Sequence, residues 1–175
     1  LRVGYLSADF HEHATAYLAC GLFELHDRER FEVYGYSYGP DDGSAMRARL
    51  KRAFDRFVDI AEVPPIEAAR AIHQHEIDVL VDLKGYTTHA RPGIVAPRPA
   101  PIQVSYLGYP GTMGADFIDY LVADALVVPP GHEADYSEKL VLLPGSYQVN
   151  DRKRPQPEVA GRASLGLPPA AFVFC

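Results

Sequence analysis

The sequence predicts an α/β fold of the Rossmann-like, doubly wound kind with a mostly parallel sheet, on three observations. Short β-rich runs alternate with helical segments through the first four units. One run, "IDVLVDL" at residues 77–83, is almost continuously aliphatic, as befits a parallel strand buried on both faces. Polar and glycine residues gather directly after strands one, four and five, where open parallel sheets bind their ligands. Crossovers between parallel strands are right-handed, which places helices on both faces.

Each element has its own warrant. "RVGYLS" is the first strand, and a helix follows over about residues 15–26, with Leu18, Leu22, Phe23 and Leu25 at helical spacing. "FEVYGYSY" at residues 31–38 is the second strand. The turn formers of "GPDDGS" bound it, and Ser44 is placed to cap a helix running to about Phe54. "RFVDIA" is the third strand, after which Pro65 opens a helix ending near His75, since proline is tolerated in a first turn. The fourth strand, "IDVLVDL", is followed by the loop "KGYTTHARPG", the fifth by "GYPGTMG" after "IQVSYL". "DYLVADALVVP" and "KLVLLP" supply two more strands with little room for helix between them. Residues 150–167 are polar and proline-rich and read as a linker, and "AAFVFC" reads as the start of another strand. The expected division is therefore a lobe over residues 1–149, with residues 150–175 as linker and beginning of a second lobe.

Composition narrows the function classes. Apolar residues make up 47% and charged residues 23% of 175, a globular balance. With 17 basic against 23 acidic side chains the formal net charge is -6, which argues against nucleic acid as a partner. Cys20 and Cys175 lie far apart without CxxC spacing, so neither a disulfide framework nor a zinc site is expected. A reducing, cytoplasmic setting fits that usage. No apolar run reaches membrane-spanning length, so no membrane partner is expected either.

The strand ends carry the chemistry. The first turn, "LSADFHEHAT", lacks the G-x-G-x-x-G pattern that wraps a dinucleotide pyrophosphate and presents Asp9, His11, His13 and Thr15 in its place. An imidazole there can take a proton, bond a hydroxyl or hold a metal. A metal needs a third ligand at suitable spacing, and none is evident, so no metal is expected. The fourth strand end offers Lys84, Gly85, Tyr86, Thr87, Thr88, His89 and Arg91. The fifth offers Leu107, Gly108, Tyr109, Pro110, Gly111 and Thr112, whose glycines leave backbone amides free and allow a ligand to come close. His73 and His75 fall at a helix C-terminus, where the dipole favours them.

The blocks "LRVGYLSADFHEHATAY", "RFEVYGYSYGPDDGS", "IHQHEIDVLVDLKGYTTHAR", "RPAPIQVSYLGYPGTMGADFIDYLVAD" and "YSEKLVLLP", in this order, resemble the catalytic region of the O-GlcNAc transferase family over residues 1 to about 144. The resemblance implies the N-terminal lobe of a two-lobed GT-B glycosyltransferase that transfers N-acetylglucosamine, with inversion, from UDP-GlcNAc to Ser or Thr hydroxyls of proteins. Another sugar, such as fucose, or a non-catalytic protein-binding homologue are the alternatives. It implies tetratricopeptide repeats upstream, and a C-terminal lobe that holds most of the uridine diphosphate contacts, so that this lobe alone is inactive. By the same resemblance His13 matches an active-site histidine proposed as a general base or sugar-positioning group. His73 matches a second histidine assigned a functional role. Tyr86 lines the cleft, and residues 107–112, from Leu107 through Gly108, Tyr109, Pro110 and Gly111 to Thr112, approach the sugar nucleotide. No cofactor and no metal are implied. The field of a helix N-terminus would favour a neutral His13 ring, able to act as base or acceptor.

Overall fold

The computed structural model describes residues 1–154 and 160–174. Seven parallel strands form one sheet in the order β3-β2-β1-β4-β5-β6-β7. The strands are β1 (Arg2–Ser7), β2 (Glu32–Ser37), β3 (Arg56–Asp59), β4 (Val79–Asp82), β5 (Ile102–Ser105), β6 (Tyr120–Asp124) and β7 (Lys139–Leu143). The helices are α1 (Ala14–Glu24), α2 (Ala45–Ala53) and α3 (Pro65–Gln74). This is the doubly wound arrangement expected from the sequence. The chain runs outward through β1, β2 and β3, then returns to lay β4 on the other side of β1, which makes the β1/β4 boundary the topological switch point.

Side-chain alternation along the strands builds two cores. Val3, Tyr5, Val33 and Val81 point to the face covered by α1 and α2, through Cys20, Phe23, Leu50 and Ala53. Leu6, Tyr34, Tyr36 and Leu80 point to the other face, covered by α3 through Ala68 and Ile72. Among the described residues the crossovers beyond β4 carry no α-helix. The 3-10 turn Pro92–Ile94 and irregular chain bring Ile94, Val95, Met113 and Ile118 onto the α3 face. The buried Gln103 fastens this region, its amide donating to the carbonyls of Val95 at 2.9 Å and Phe117 at 2.6 Å.

The caps behave as the sequence suggests. Ser44 accepts the amide of Arg47 at 3.1 Å to start α2, and Pro65 occupies the first turn of α3. Strands are shorter than the apolar runs because pairing stops where the chain peels away to a loop. The fourth run reads as 77–83 but pairs only over Val79–Asp82, with Ile77 and Leu83 buried in the cores outside the ladder. The expected new strand at "AAFVFC" is not formed over residues 171–174, where Phe172 and Phe174 stand exposed with no neighbouring strand. Cys175 and residues 155–159 of the expected linker lie outside the described residues. The chain stays attached to the lobe slightly past residue 149, since the Asp151 carboxylate accepts from Arg49 at 2.6 Å.

Candidate functional site

The first turn is placed from below by α2. The Arg47 side chain, 1% exposed, donates to the Phe10 carbonyl and the Ser37 hydroxyl at 3.0 Å each and to the Asp59 carboxylate at 2.6 Å, while its plane lies over the Phe57 ring. The Phe10 backbone is thereby held on the core, and the chain re-emerges as His11, Glu12 and His13. Asp42, from the β2–α2 loop, accepts the Glu12 amide at 2.8 Å and holds the turn from the other side. That contact, with those to Ser44 and His11, keeps its carboxyl down to about 2. His13 is the N-cap of α1, with an extended backbone, and its Nδ1 accepts the Thr15 amide at 3.2 Å.

A buried ion pair spans the switch point. The Lys84 ammonium, at the end of β4, donates to both oxygens of Asp9, at the end of β1, at 3.0 and 2.9 Å. Thr15 Oγ1 donates to Oδ2 of the same carboxylate at 3.3 Å. Below it Asp82 accepts the amides of Lys84 at 3.0 Å and Gly85 at 3.1 Å, turning the chain off β4. Burial pushes the Asp82 carboxyl up to about 6, against the opposing pull of those amides and of Lys84. Arg91 ties the β4 loop to the β3–α3 turn by donating to the carbonyls of Ile60, Ala61 and Val63.

The β5 loop joins through close backbone packing. Gly108 lies so near β4 that a Cβ on it would come within 2.1 Å of the Leu83 carbonyl oxygen, so its missing side chain is needed by the protein itself. Gly85 has φ +54, and a Cβ there would meet the Tyr109 side chain at 2.5 Å. Leu107, buried, adopts φ 70, a left-handed conformation that costs a branched side chain about 1 kcal/mol and marks a site the surroundings over-determine. Tyr109 meets the half-exposed Tyr86 edge-on, with ring centroids 5.8 Å apart. Thr112 faces the other way: its hydroxyl donates to Glu138 at 2.7 Å and accepts the Gly114 amide at 3.0 Å. Glu138 also accepts the Met113 amide at 2.6 Å, so the far end of the loop is pinned to the approach of β7.

The loops after β1, β2, β3 and β4 line a cleft of about 760 Å³ through Asp9, His11, His13, Tyr38, Lys84 and His89 among others. A second hollow of about 350 Å³, past Tyr109, is lined by Gly111, Thr112, His132 and Tyr136. Of the residues singled out from sequence, His13, Tyr86 and residues 107–112 stand on the loops at the carboxyl ends of β1, β4 and β5; His13 lines the larger cleft, and Tyr109, Gly111 and Thr112 line the second hollow. His73 does not join them. It ends α3 beside Pro99, Ile77 and Asp78, the residues that lead into β4 and β5. A right-handed crossover runs its helix antiparallel to the strands, so the last turn of α3 lies where the strands begin. Asp9 and Lys84 form the central pair of the cleft; sequence reasoning counted both among the polar strand ends but neither paired them nor gave them a role. Their signal was the polar composition of two strand ends, 75 residues apart. Among the described residues no three His, Cys, Asp or Glu side chains are grouped as a metal site requires, and no helix is long and apolar enough to cross a membrane.

Comparison with known proteins agrees with the fold and gives the family. The model of "Glycosyl transferase family 41" matches residues 1–166. The chain is 42% identical over 180 residues to an Arabidopsis thaliana protein named probable UDP-N-acetylglucosamine–peptide N-acetylglucosaminyltransferase SEC, covering 99% of this chain and 18% of that one. It is 41% identical over 152 residues to the Caenorhabditis elegans UDP-N-acetylglucosamine–peptide N-acetylglucosaminyltransferase, covering 86% of this chain and 13% of that one. A solved structure of a mutant O-GlcNAc transferase from Thermobaculum terrenum superposes with a TM-score of 0.83 at 36% identity, over 92% of this chain and 30% of that one. The chain spans less than a fifth of the length of the two named relatives. With a family model matched over nearly all its residues and relatives at this level of identity, the chain belongs to glycosyl transferase family 41.

Proposed function

We propose that this chain is the N-terminal lobe of a GT-B protein glycosyltransferase that moves N-acetylglucosamine from UDP-GlcNAc to Ser or Thr hydroxyls. The observation that supports this reading is that His13, Tyr86 and residues 107–112 all lie beyond the carboxyl ends of the neighbouring strands β1, β4 and β5, in a chain of family 41. The donor is the one named for the relatives in Arabidopsis thaliana and Caenorhabditis elegans. The acceptor oxygen bonds to the anomeric carbon from the face opposite the diphosphate. The carbon–oxygen bond to phosphate breaks, UDP leaves with the bonding pair, and one proton is released, giving inversion.

The residues divide the work. Tyr86 and Tyr109 form an aromatic wall beside the cleft, suited to the apolar face of a sugar ring. Gly108 lets the loop pack against the Leu83 carbonyl, Pro110 and Gly111 keep the backbone beyond it accessible to the donor, Leu107 sets its entry, and Thr112 fixes its far end through Glu138. His13 presents its imidazole, with the side chain 42% exposed, to the cleft. Uridine diphosphate binding falls to a C-terminal lobe whose linker and beginning are residues 150–175, so this lobe alone is inactive. No metal or other cofactor takes part. The tetratricopeptide repeats implied by the family resemblance lie upstream, in a cytoplasmic protein. His73 has no part in this cleft.

The test is transfer of labelled N-acetylglucosamine from UDP-GlcNAc to a Ser/Thr peptide by the full-length protein. Wild type transfers, and His13→Ala lowers turnover by about 100-fold or more with the fold intact, as for loss of a positioned group at the reacting centre. Absence of transfer and of donor hydrolysis by wild type contradicts the enzyme reading. Preference for another nucleotide sugar corrects the donor.

A further inference from the structure

The two ring nitrogens of His13 are not equivalent. Nδ1 accepts the Thr15 amide at 3.2 Å, and a nitrogen that accepts carries no proton, so the neutral ring bears its hydrogen on Nε2. The competing partner for Nδ1 is Asp9 Oδ2, at 3.6 Å, beyond hydrogen-bond reach. Asp9 is already committed, to Lys84 through both oxygens and to the Thr15 hydroxyl through Oδ2. His11 is no rival: its ring lies 5.6 Å from that of His13, and its Nδ1 is 3.9 Å from the Asp42 carboxylate. A carboxylate free of its counter-ion at this distance would draw the hydrogen to Nδ1, as the buried Asp of a Ser-His-Asp triad does, and would leave Nε2 a lone pair with which to take a proton. Lys84, 7% exposed in its side chain, cancels that pull.

We propose that His13 meets its ligand as a hydrogen-bond donor through Nε2–H, and that Lys84 is the positioning residue that keeps it so, by neutralising Asp9 and leaving Nδ1 to the Thr15 amide. This rests on the glycosyl-transfer reading of the cleft and narrows it: the contact of His13 is a lone-pair-bearing oxygen of the bound sugar nucleotide, and His13 does not remove the acceptor proton.

Paired substitutions in the full-length protein separate the possible roles. Asn at an N-cap accepts the N2 amide but is too short to reach the cleft, so His13→Asn keeps the cap and loses the donor. His13→Gln gives up the cap and carries an amide N–H near the place of Nε2. With UDP-GlcNAc and a Ser/Thr peptide, His13→Gln is expected to stay within about tenfold of wild-type kcat/KM, and His13→Asn to lose about 100-fold or more. An equal, large loss in both overturns the proposal in favour of a proton acceptor. Activity kept by Asn and lost by Gln overturns it in favour of a mere cap. Ring 15N shifts of labelled histidine, with His13 assigned by its absence from the His13→Asn spectrum, read the tautomer without any turnover. An unprotonated Nδ1 supports the proposal and a protonated one overturns it, even where wild type transfers no sugar and the transferase reading fails. Lys84→Met is expected to move the hydrogen to Nδ1 and lower kcat/KM. An unchanged tautomer in that variant removes Lys84 from the proposal, and should the variant not fold, the His13 pair and the wild-type spectrum decide.

Discussion

Two glycines of the same loop do different work. The Cβ of Gly108→Ala would press on the Leu83 carbonyl, a piece of backbone with nowhere to go, whereas that of Gly111→Ala would meet the Tyr109 ring at 3.3 Å, which a small shift of the ring relieves. Thermal unfolding is therefore expected to show Gly108→Ala destabilised by about 3 kcal/mol and Gly111→Ala by less than about 1 kcal/mol. Equal losses would mean that the β4–β5 approach is looser than these distances say. Asp82 makes a second prediction, through pH. Its carboxyl is harder to ionise folded than unfolded, so its contribution favours the native state at low pH and is lost as pH rises to about 6. Asp82→Asn lacks that ionisation. The midpoint of the variant relative to wild type is expected to rise between about pH 4 and 7, and a pH-independent difference would show that the carboxyl ionises normally.

At the scale of elements, α2 positions a turn it does not belong to. Arg47→Met removes the bonds to Phe10, Ser37 and Asp59 together, and is expected to cost about 3 kcal/mol in denaturant unfolding and to loosen the turn that presents His13. A loss below about 0.5 kcal/mol would show that the turn is held by other contacts. Elements of this kind were legible in the sequence to different depths. The strands, the Ser44 cap and the Pro65 start follow from local pattern, because apolar runs, hydroxyls and prolines act on their own few residues. The loop "LGYPGT" was legible as a place of close approach, although Gly108 makes room for Leu83 and not for a ligand. His73 shows where local reading stops: its place on a helix is plain, but which end of the sheet that helix turn reaches depends on the crossover. The Asp9–Lys84 pair was hidden for the same reason, since its two halves meet only once β4 lies beside β1.

At the scale of the whole molecule, the strand ends form one wall of a site. Its first turn spends its polar groups on an ion pair and an imidazole, and it carries no glycine fingerprint for phosphate. The segment after residue 149 is fastened to the body of the sheet where Asp151 meets Arg49 at 2.6 Å and Lys153 meets Glu24 at 2.8 Å. Arg49, which donates to both Glu24 oxygens at 2.8 and 3.0 Å, and Lys153 after it hold the Glu24 carboxyl down to about 2, and Arg49 lowers that of Asp151, so the attachment is expected to weaken as pH falls below the usual carboxylate range. The central claim is that this lobe shapes the sugar and acceptor side of the cleft while a second lobe binds the nucleotide. Calorimetric titration of the folded 175-residue chain with UDP tests it most directly. The account predicts no saturable heat below about millimolar ligand, a binding free energy weaker than about 4 kcal/mol, and saturable micromolar binding by the full-length protein. Micromolar binding by the 175-residue chain alone would contradict the division of labour.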